Sequence, residues 1–99
     1  MAQLDQPQKV TISEIVESKT SGRKMVYTSV PDYTSAKWAE EAGVDVCVVG
    51  DSLAMVAHGY VNTIPATMDM MVMHAQAVRR GAPNTFVLGC MPYSVLPHG

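Results

Sequence analysis

The feature that most restricts the fold is the segment 44–49, VDVCVV, which is almost uniformly apolar and rich in β-branched residues. A strand with one face in water alternates apolar and polar residues, whereas a parallel strand covered on both faces is apolar along its length. The segment is therefore predicted to be a central parallel strand. Parallel strands need long crossover connections, usually helices, so this prediction requires a fold in which strands and helices alternate.

The flanking segments supply that alternation. Short runs of β-forming residues predict two more strands, at 24–29 and 85–88. Helices are predicted at 34–42 and 68–80, because each segment follows a residue that can cap a helix and precedes a glycine, a common stop signal. We expect residues 53–66, which include a glycine and a proline, to be irregular.

A further helix is predicted before the first strand. Thr11 and Glu14 have the spacing of a capping box, in which the two side chains satisfy the first backbone N–H groups of a helix. Ile12, Ile15 and Val16 then fall on one helical face. The helix is expected to end before the Ser-Gly pair that follows it.

The order of elements predicts an α/β fold with a parallel sheet. Two architectures fit the order, a doubly wound open sheet and part of a (β/α)8 barrel, and both bind ligands at the carboxyl ends of their strands. Residues 1–9 are polar and are expected to form a flexible tail. Residues 10–99 are then expected to belong to one domain.

Composition excludes several functional classes. With 47% hydrophobic residues and a formal net charge of −2, the 99-residue chain is not typical of a disordered protein. It has no Lys/Arg cluster, so we expect no nucleic-acid partner and no anionic membrane partner. No apolar stretch reaches the roughly 20 residues that span a bilayer, and the chain start lacks a secretory signal. A cytoplasmic location is expected, or a mitochondrial one in a eukaryote.

Asp51 and Ser52 are the main candidate functional residues, because they directly follow the central strand. Two interpretations are open: the pair can shape a strand-to-turn junction, with the aspartate capping backbone groups, or it can contact a ligand. Asp32 follows the first strand, and helix capping explains it fully.

The histidines and cysteines give no pattern of their own. His58, His74 and His98 share no ligand spacing, and His74 is expected on a helix face near the core. Cys47 and Cys90 belong to no Cys-x-x-Cys or Cys/His spacing, so neither a zinc site nor a disulfide framework is predicted. Cys47 is expected to fill the core.

Several motifs together resemble the ketopantoate hydroxymethyltransferase family. The similarity covers residues 10–93 in order, and its most specific parts are GDSLAM at 50–55, TIPAT at 63–67 and HAQAVRRGAPN at 74–84. The resemblance implies a (β/α)8 barrel, of which this chain would form the N-terminal portion, about three strand–helix units. A full barrel needs about 250 residues, so a fragment, a truncated paralogue and a degenerate copy are all open, and we expect the chain to be inactive alone.

The resemblance also implies a reaction. The family transfers a hydroxymethyl group from 5,10-methylenetetrahydrofolate to an α-keto acid, 3-methyl-2-oxobutanoate, giving 2-dehydropantoate for pantothenate biosynthesis. By resemblance, a Mg²⁺ ion holds the keto acid, Asp51 is a metal ligand, and Asp51 and Ser52 contact the substrate. The general base of the family lies further along than Gly99, so no catalytic residue is expected here. Full-length members are expected to be homo-oligomers.

One departure from the family pattern affects the metal. Cys90 stands where the family has an aspartate that is its second contact to metal and substrate. A thiol is mostly neutral at pH 7, and its soft sulfur suits Mg²⁺ poorly, so Cys90 is a doubtful ligand. Two alternatives to the transferase stay open: a metal-enolate lyase of the phosphoenolpyruvate/pyruvate barrel group, and a non-catalytic truncated paralogue that acts as a binding partner.

Overall fold

The computed structural model describes residues 10–92. Its elements, in chain order, are α1 (Ile12–Ser21), β1 (Tyr27–Ser29), α2 (Tyr33–Ala42), β2 (Val46–Val49), α3 (Leu53–Val56), α4 (Met68–Gly81) and β3 (Phe86–Gly89). The tail predicted at 1–9 and the last part of the predicted domain, 93–99, lie outside the described residues. None of the helices between residues 10 and 92 has the length and hydrophobicity of a membrane-spanning segment.

The three strands form one parallel sheet in the order β1-β2-β3, which confirms the predicted α/β fold. Tyr27, Val46 and Phe86 share one row of the register. In a (β/α)8 barrel each strand lies beside the strand that precedes it in the chain, whereas a doubly wound sheet reverses direction at a switch point. The observed order is that of a barrel, and the first three strands of a doubly wound sheet share it, so these three strands are consistent with both predicted architectures.

The core lies between the sheet and the helices α2 and α4. Cys47 and Val49 project to this side of β2 and pack with Ala36 of α2 and with Met71 and Val78 of α4. All five side chains are buried. Burial on this side, together with the full burial of Val46 on the other face, explains why the sequence of β2 is so uniformly apolar.

The opposite face of the sheet carries a second apolar surface. An apolar groove there is lined by Val46, Phe86 and Leu88 of the sheet and by Ile12 and Ile15 of α1. The apolar face predicted for α1 is present, but α1 buries none of its residues fully, and Ile12 is 68% exposed. The groove is therefore only partly covered by the described residues.

The predicted helix starts are confirmed. The Thr11 hydroxyl and the Glu14 carboxylate form the capping box of α1, Asp32 caps α2, and Thr67 caps α4 by accepting a hydrogen bond from the Met70 N–H. These interactions span only three residues, so they can be identified from the sequence.

All three strands begin later than predicted, β3 by one residue and the other two by two or three. β1 starts at Tyr27 and β2 at Val46. Just before both strands, Asp45 forms hydrogen bonds that differ from those of a regular sheet. Its carboxylate accepts a hydrogen bond from the Val26 N–H at 2.8 Å and pairs with the Arg23 guanidinium at 3.3 Å. The backbone N–H groups of Asp45 and Val46 both donate to the Val26 carbonyl, so regular pairing begins only after this point.

The prediction that residues 53–66 are irregular is wrong at their start. Leu53–Val56 form the short helix α3, and Leu53 and Ala54 are buried in the core. A four-residue helix carries little sequence signal, because its stability comes from tertiary packing rather than from propensity.

The role of Gly81 also differs from the prediction, which placed it just after the helix as a stop signal. It is the last residue of α4, and it lies where α4 crosses α2. A Cβ atom added at Gly81 would overlap the Tyr33 carbonyl oxygen, and it would lie 3.1 Å from the Ala36 Cβ and 3.2 Å from the Lys37 N. The absence of a side chain here therefore allows the two helices to approach each other closely.

We expect Gly81→Ala to destabilise the chain by about 1–3 kcal/mol through this overlap, although alanine favours helices by about 1 kcal/mol over glycine. Urea unfolding followed by circular dichroism measures the change. Gly89→Ala is the matched control, because nothing lies within 4 Å of its added Cβ; we expect it to change stability by less than about 0.5 kcal/mol. A stabilising effect of Gly81→Ala would contradict the close approach.

Candidate functional site

The candidate site is the edge of the sheet at which the three strands end. Because the strands are parallel, the residues that follow them meet at this edge: Pro31 after β1, Asp51 after β2 and Cys90 after β3. The Cys90 N–H donates to the Val49 carbonyl at 2.9 Å, so β3 continues its pairing for one more residue and Cys90 comes beside Gly50. The structure thus brings Asp51 and Cys90 to the same edge.

The Asp51 side chain is partly buried, and its carboxylate makes no hydrogen bond or ion pair within residues 10–92. The turn that follows is closed by the backbone alone. The Leu53 N–H donates to the Gly50 carbonyl and the Ala54 N–H donates to the Asp51 carbonyl, each at 3.1 Å. The interpretation in which the aspartate side chain caps backbone groups is therefore not what the described residues show.

Ser52 occupies the N-cap position of α3, but its side chain makes no capping hydrogen bond. The residue is exposed and lines a small cavity at the strand ends. Pro31, Val48 and Val56 line the same cavity, whereas Asp51 does not. Ser52 thus offers a hydroxyl group to this cavity from a turn that backbone hydrogen bonds close.

The two cysteines differ in exposure. Cys47 is fully buried in β2, as predicted, and this burial raises the pKa of its thiol; the negative charge of Glu40 acts in the same direction and Arg79 opposes it. Cys90 is exposed and carries a free thiol. Among the described residues, no group of three or more His, Cys, Asp or Glu side chains is arranged to hold a metal ion.

Asp32 lies at the same edge, and its role is helix capping, as predicted. Its carboxylate accepts hydrogen bonds from the Ser35 N–H at 2.8 Å and from the Ser35 hydroxyl at 2.7 Å. These two hydrogen bonds, the backbone one first, lower the pKa of Asp32, and the charge of His74 contributes in the same direction.

A lowered pKa in the folded state means that the ionised Asp32 side chain stabilises the fold above the ordinary aspartate pKa of about 3.9, and that this contribution is lost as the pH falls through the lower folded value. We expect Asp32→Ala to cost about 1 kcal/mol at pH 7 and less at pH 3, measured by urea unfolding. Asp32→Asn keeps a capping oxygen that does not titrate, so it should remain close to the natural chain at pH 7. An Ala penalty that does not change with pH would contradict the assignment.

The structure brings together two residues that the sequence does not connect. Nε2 of His58, in the loop after α3, lies 3.0 Å from Nε2 of His74 in α4. His74 Nδ1 is also hydrogen-bonded to the Pro31 carbonyl at 2.5 Å. The histidines share no ligand spacing in the sequence, and the fold nevertheless brings this pair together. The two histidines are 16 positions apart, His58 in a loop and His74 in a helix, so no fixed spacing could have identified the pair.

Comparison with known proteins gives a consistent result. A family model described as ketopantoate hydroxymethyltransferase matches residues 9–98. A curated relative from Methylibium petroleiphilum, 3-methyl-2-oxobutanoate hydroxymethyltransferase 1, is 84% identical over 85 residues, which are 86% of this chain and 29% of the relative.

Two further relatives carry the name 3-methyl-2-oxobutanoate hydroxymethyltransferase. The protein from Geobacillus kaustophilus is 51% identical over 82% of this chain and 29% of its own length. The protein from Thermus thermophilus is 50% identical over 73% of this chain and 28% of its own length. The chain therefore spans a little less than a third of the length of the curated relatives that it matches.

Proposed function

Because the chain belongs to the ketopantoate hydroxymethyltransferase family, we propose that its strand ends form part of a site that binds an α-keto acid. The proposed reaction is the transfer of a hydroxymethyl group from 5,10-methylenetetrahydrofolate to 3-methyl-2-oxobutanoate, which gives 2-dehydropantoate. Since the chain spans less than a third of its relatives' length, the activity is proposed for a complete barrel that contains these residues.

The observation that carries this proposal is the state of the Asp51 carboxylate. It lies at the carboxyl end of the central strand, where barrels bind their ligands, and it has no partner among residues 10–92. A partly buried carboxylate that neither caps the turn nor pairs with a cation is suited to contact a ligand. Backbone hydrogen bonds close the turn, which supports the same interpretation because the closure does not need this side chain.

The donor groups at this edge fit Mg²⁺ in part. Mg²⁺ prefers hard oxygen ligands, keeps several waters and is often bound through only one or two carboxylates, so Asp51 can hold it while water and substrate supply the remaining oxygens. The Cys90 thiol does not fit, because its sulfur is a soft donor. When bound, Mg²⁺ would supply Lewis-acid polarisation of the keto group.

The other groups at this edge would orient the keto acid. The Ser52 hydroxyl lines the cavity and makes no local capping bond, so it can donate a hydrogen bond to a substrate oxygen. Val48 and Val56 line the same cavity and offer apolar contact to the branched end of 3-methyl-2-oxobutanoate. The relatives' names favour this transferase over a lyase on the same barrel.

A magnesium titration tests the metal assignment. We expect Cys90→Asp to bind Mg²⁺ at least about tenfold more tightly than the natural chain in isothermal titration calorimetry, because it adds a second hard oxygen donor beside the Asp51 turn. Cys90→Ser is the control that removes the thiol without adding a carboxylate. Adding Asp51→Asn to Cys90→Asp should abolish the gain. Equal affinities for Cys90→Asp and Cys90→Ser would contradict a shared cation site.

A hybrid enzyme tests the proposed activity. The 85 residues of this chain that match the Methylibium relative replace the corresponding segment of that relative, and hydroxymethyl transfer to 3-methyl-2-oxobutanoate is assayed. We expect an active hybrid and a loss of about 100-fold or more in kcat/KM on Asp51→Asn, since a metal ligand contributes several kcal/mol to the transition state. The matched control is Asp69→Asn in the first turn of α4, which should remain active. A folded but inactive hybrid would favour the non-catalytic alternative.

A further inference from the structure

The His58–His74 pair is joined through its ring nitrogens, and the same arrangement presents two possible metal ligands. The two Nε2 atoms face each other at 3.0 Å, the ring centroids are 5.1 Å apart, and the ring planes are nearly perpendicular at 83°. His58 is exposed to solvent and His74 is partly buried. A pair of imidazole nitrogens is thus held together in a place that ions in solution can reach.

The hydrogen bond to Pro31 fixes which nitrogen of His74 is available. A carbonyl oxygen only accepts hydrogen bonds, so the His74 Nδ1, 2.5 Å from the Pro31 carbonyl, carries the proton. In the neutral ring, Nε2 then has a lone pair directed at His58. Histidines that bind metals typically donate their other ring N–H to a carbonyl or carboxylate in this way.

The distance between the two nitrogens matches chelation. A Zn²⁺ ion at about 2.0–2.1 Å from each nitrogen separates them by about 3.3 Å at a tetrahedral angle and by about 2.9 Å at a right angle. The observed 3.0 Å lies within this range. When both rings are neutral, the proton of the Nε2···Nε2 hydrogen bond lies on the His58 Nε2. When a metal ion binds, this proton moves to the His58 Nδ1. The His58 ring then stays neutral, and its Nε2 lone pair is available to the ion.

On this basis we propose that His58 and His74 form a binding site for a borderline divalent cation such as Zn²⁺ or Ni²⁺. Imidazole nitrogen suits these ions, whereas Mg²⁺ prefers oxygen, so this site differs in chemistry from the strand-end carboxylate. No third His, Cys, Asp or Glu joins the pair within residues 10–92, so water completes the coordination. The bound ion links the loop after α3 to α4 and, through the Pro31 carbonyl, to the end of β1.

Zinc titration of the 99-residue chain tests this proposal by competition with a chromophoric chelator. Every protein carries Cys90→Ser, because an exposed thiol is itself a zinc ligand. We expect one equivalent of Zn²⁺ to bind, and His58→Ala to weaken that binding at least tenfold. His98→Ala is the matched control, since it removes the chain's remaining histidine, and it should leave the affinity unchanged.

Two further measurements separate loss of a ligand from loss of the fold. Circular dichroism should show the same helix content in His58→Ala as in its parent, because His58 is exposed. Long-range ¹H–¹⁵N spectra should show zinc-induced shifts at the Nε2 atoms of His58 and His74, with the His74 Nδ1 proton retained. Absence of zinc binding, equal affinity in His58→Ala, or shifts confined to His98 would each overturn the proposal.

Discussion

The structure depends on the burial and pairing of β2. This strand hydrogen-bonds to β1 on one edge and to β3 on the other, and Val46, Cys47 and Val49 are all fully buried. With its backbone paired on both sides, β2 aligns the ends of all three strands. That alignment brings Asp51, Ser52 and Cys90 to one edge, so the candidate site is a direct consequence of how the central strand is packed.

The parts of the fold that could be predicted are those that depend on local chemistry. The capping side chains Thr11, Asp32 and Thr67 act on backbone groups three residues away. The apolar sequence of β2 indicates by itself that the strand is buried. The short helix α3 and the role of Gly81 could not be predicted in this way. Both depend on contacts with elements distant in the chain, and a single glycine does not reveal which carbonyl lies next to it.

In the candidate site, too, the features set by local sequence could be predicted and those set by distant contacts could not. The position of Asp51 follows from the sequence, because a polar residue directly after a buried parallel strand lies at the ligand-binding edge of either architecture. That its carboxylate makes no bond to the turn could not be predicted, since an aspartate in a turn commonly does so. The contact between His58 and His74 could not be predicted from the sequence, because it depends on where a loop lies against a helix.

The outer edges of the sheet have a consequence for how this chain behaves as a separate molecule. Within residues 10–92, β1 and β3 each pair with β2 alone, so each presents a row of backbone donors and acceptors on its other side. Such rows are templates for strand addition, and the exposed Leu88 lies on one of them. Purified at high concentration, the chain is prone to add strands from neighbouring copies, whereas a polypeptide that supplies the adjoining strands would compete with this self-association and keep it dispersed.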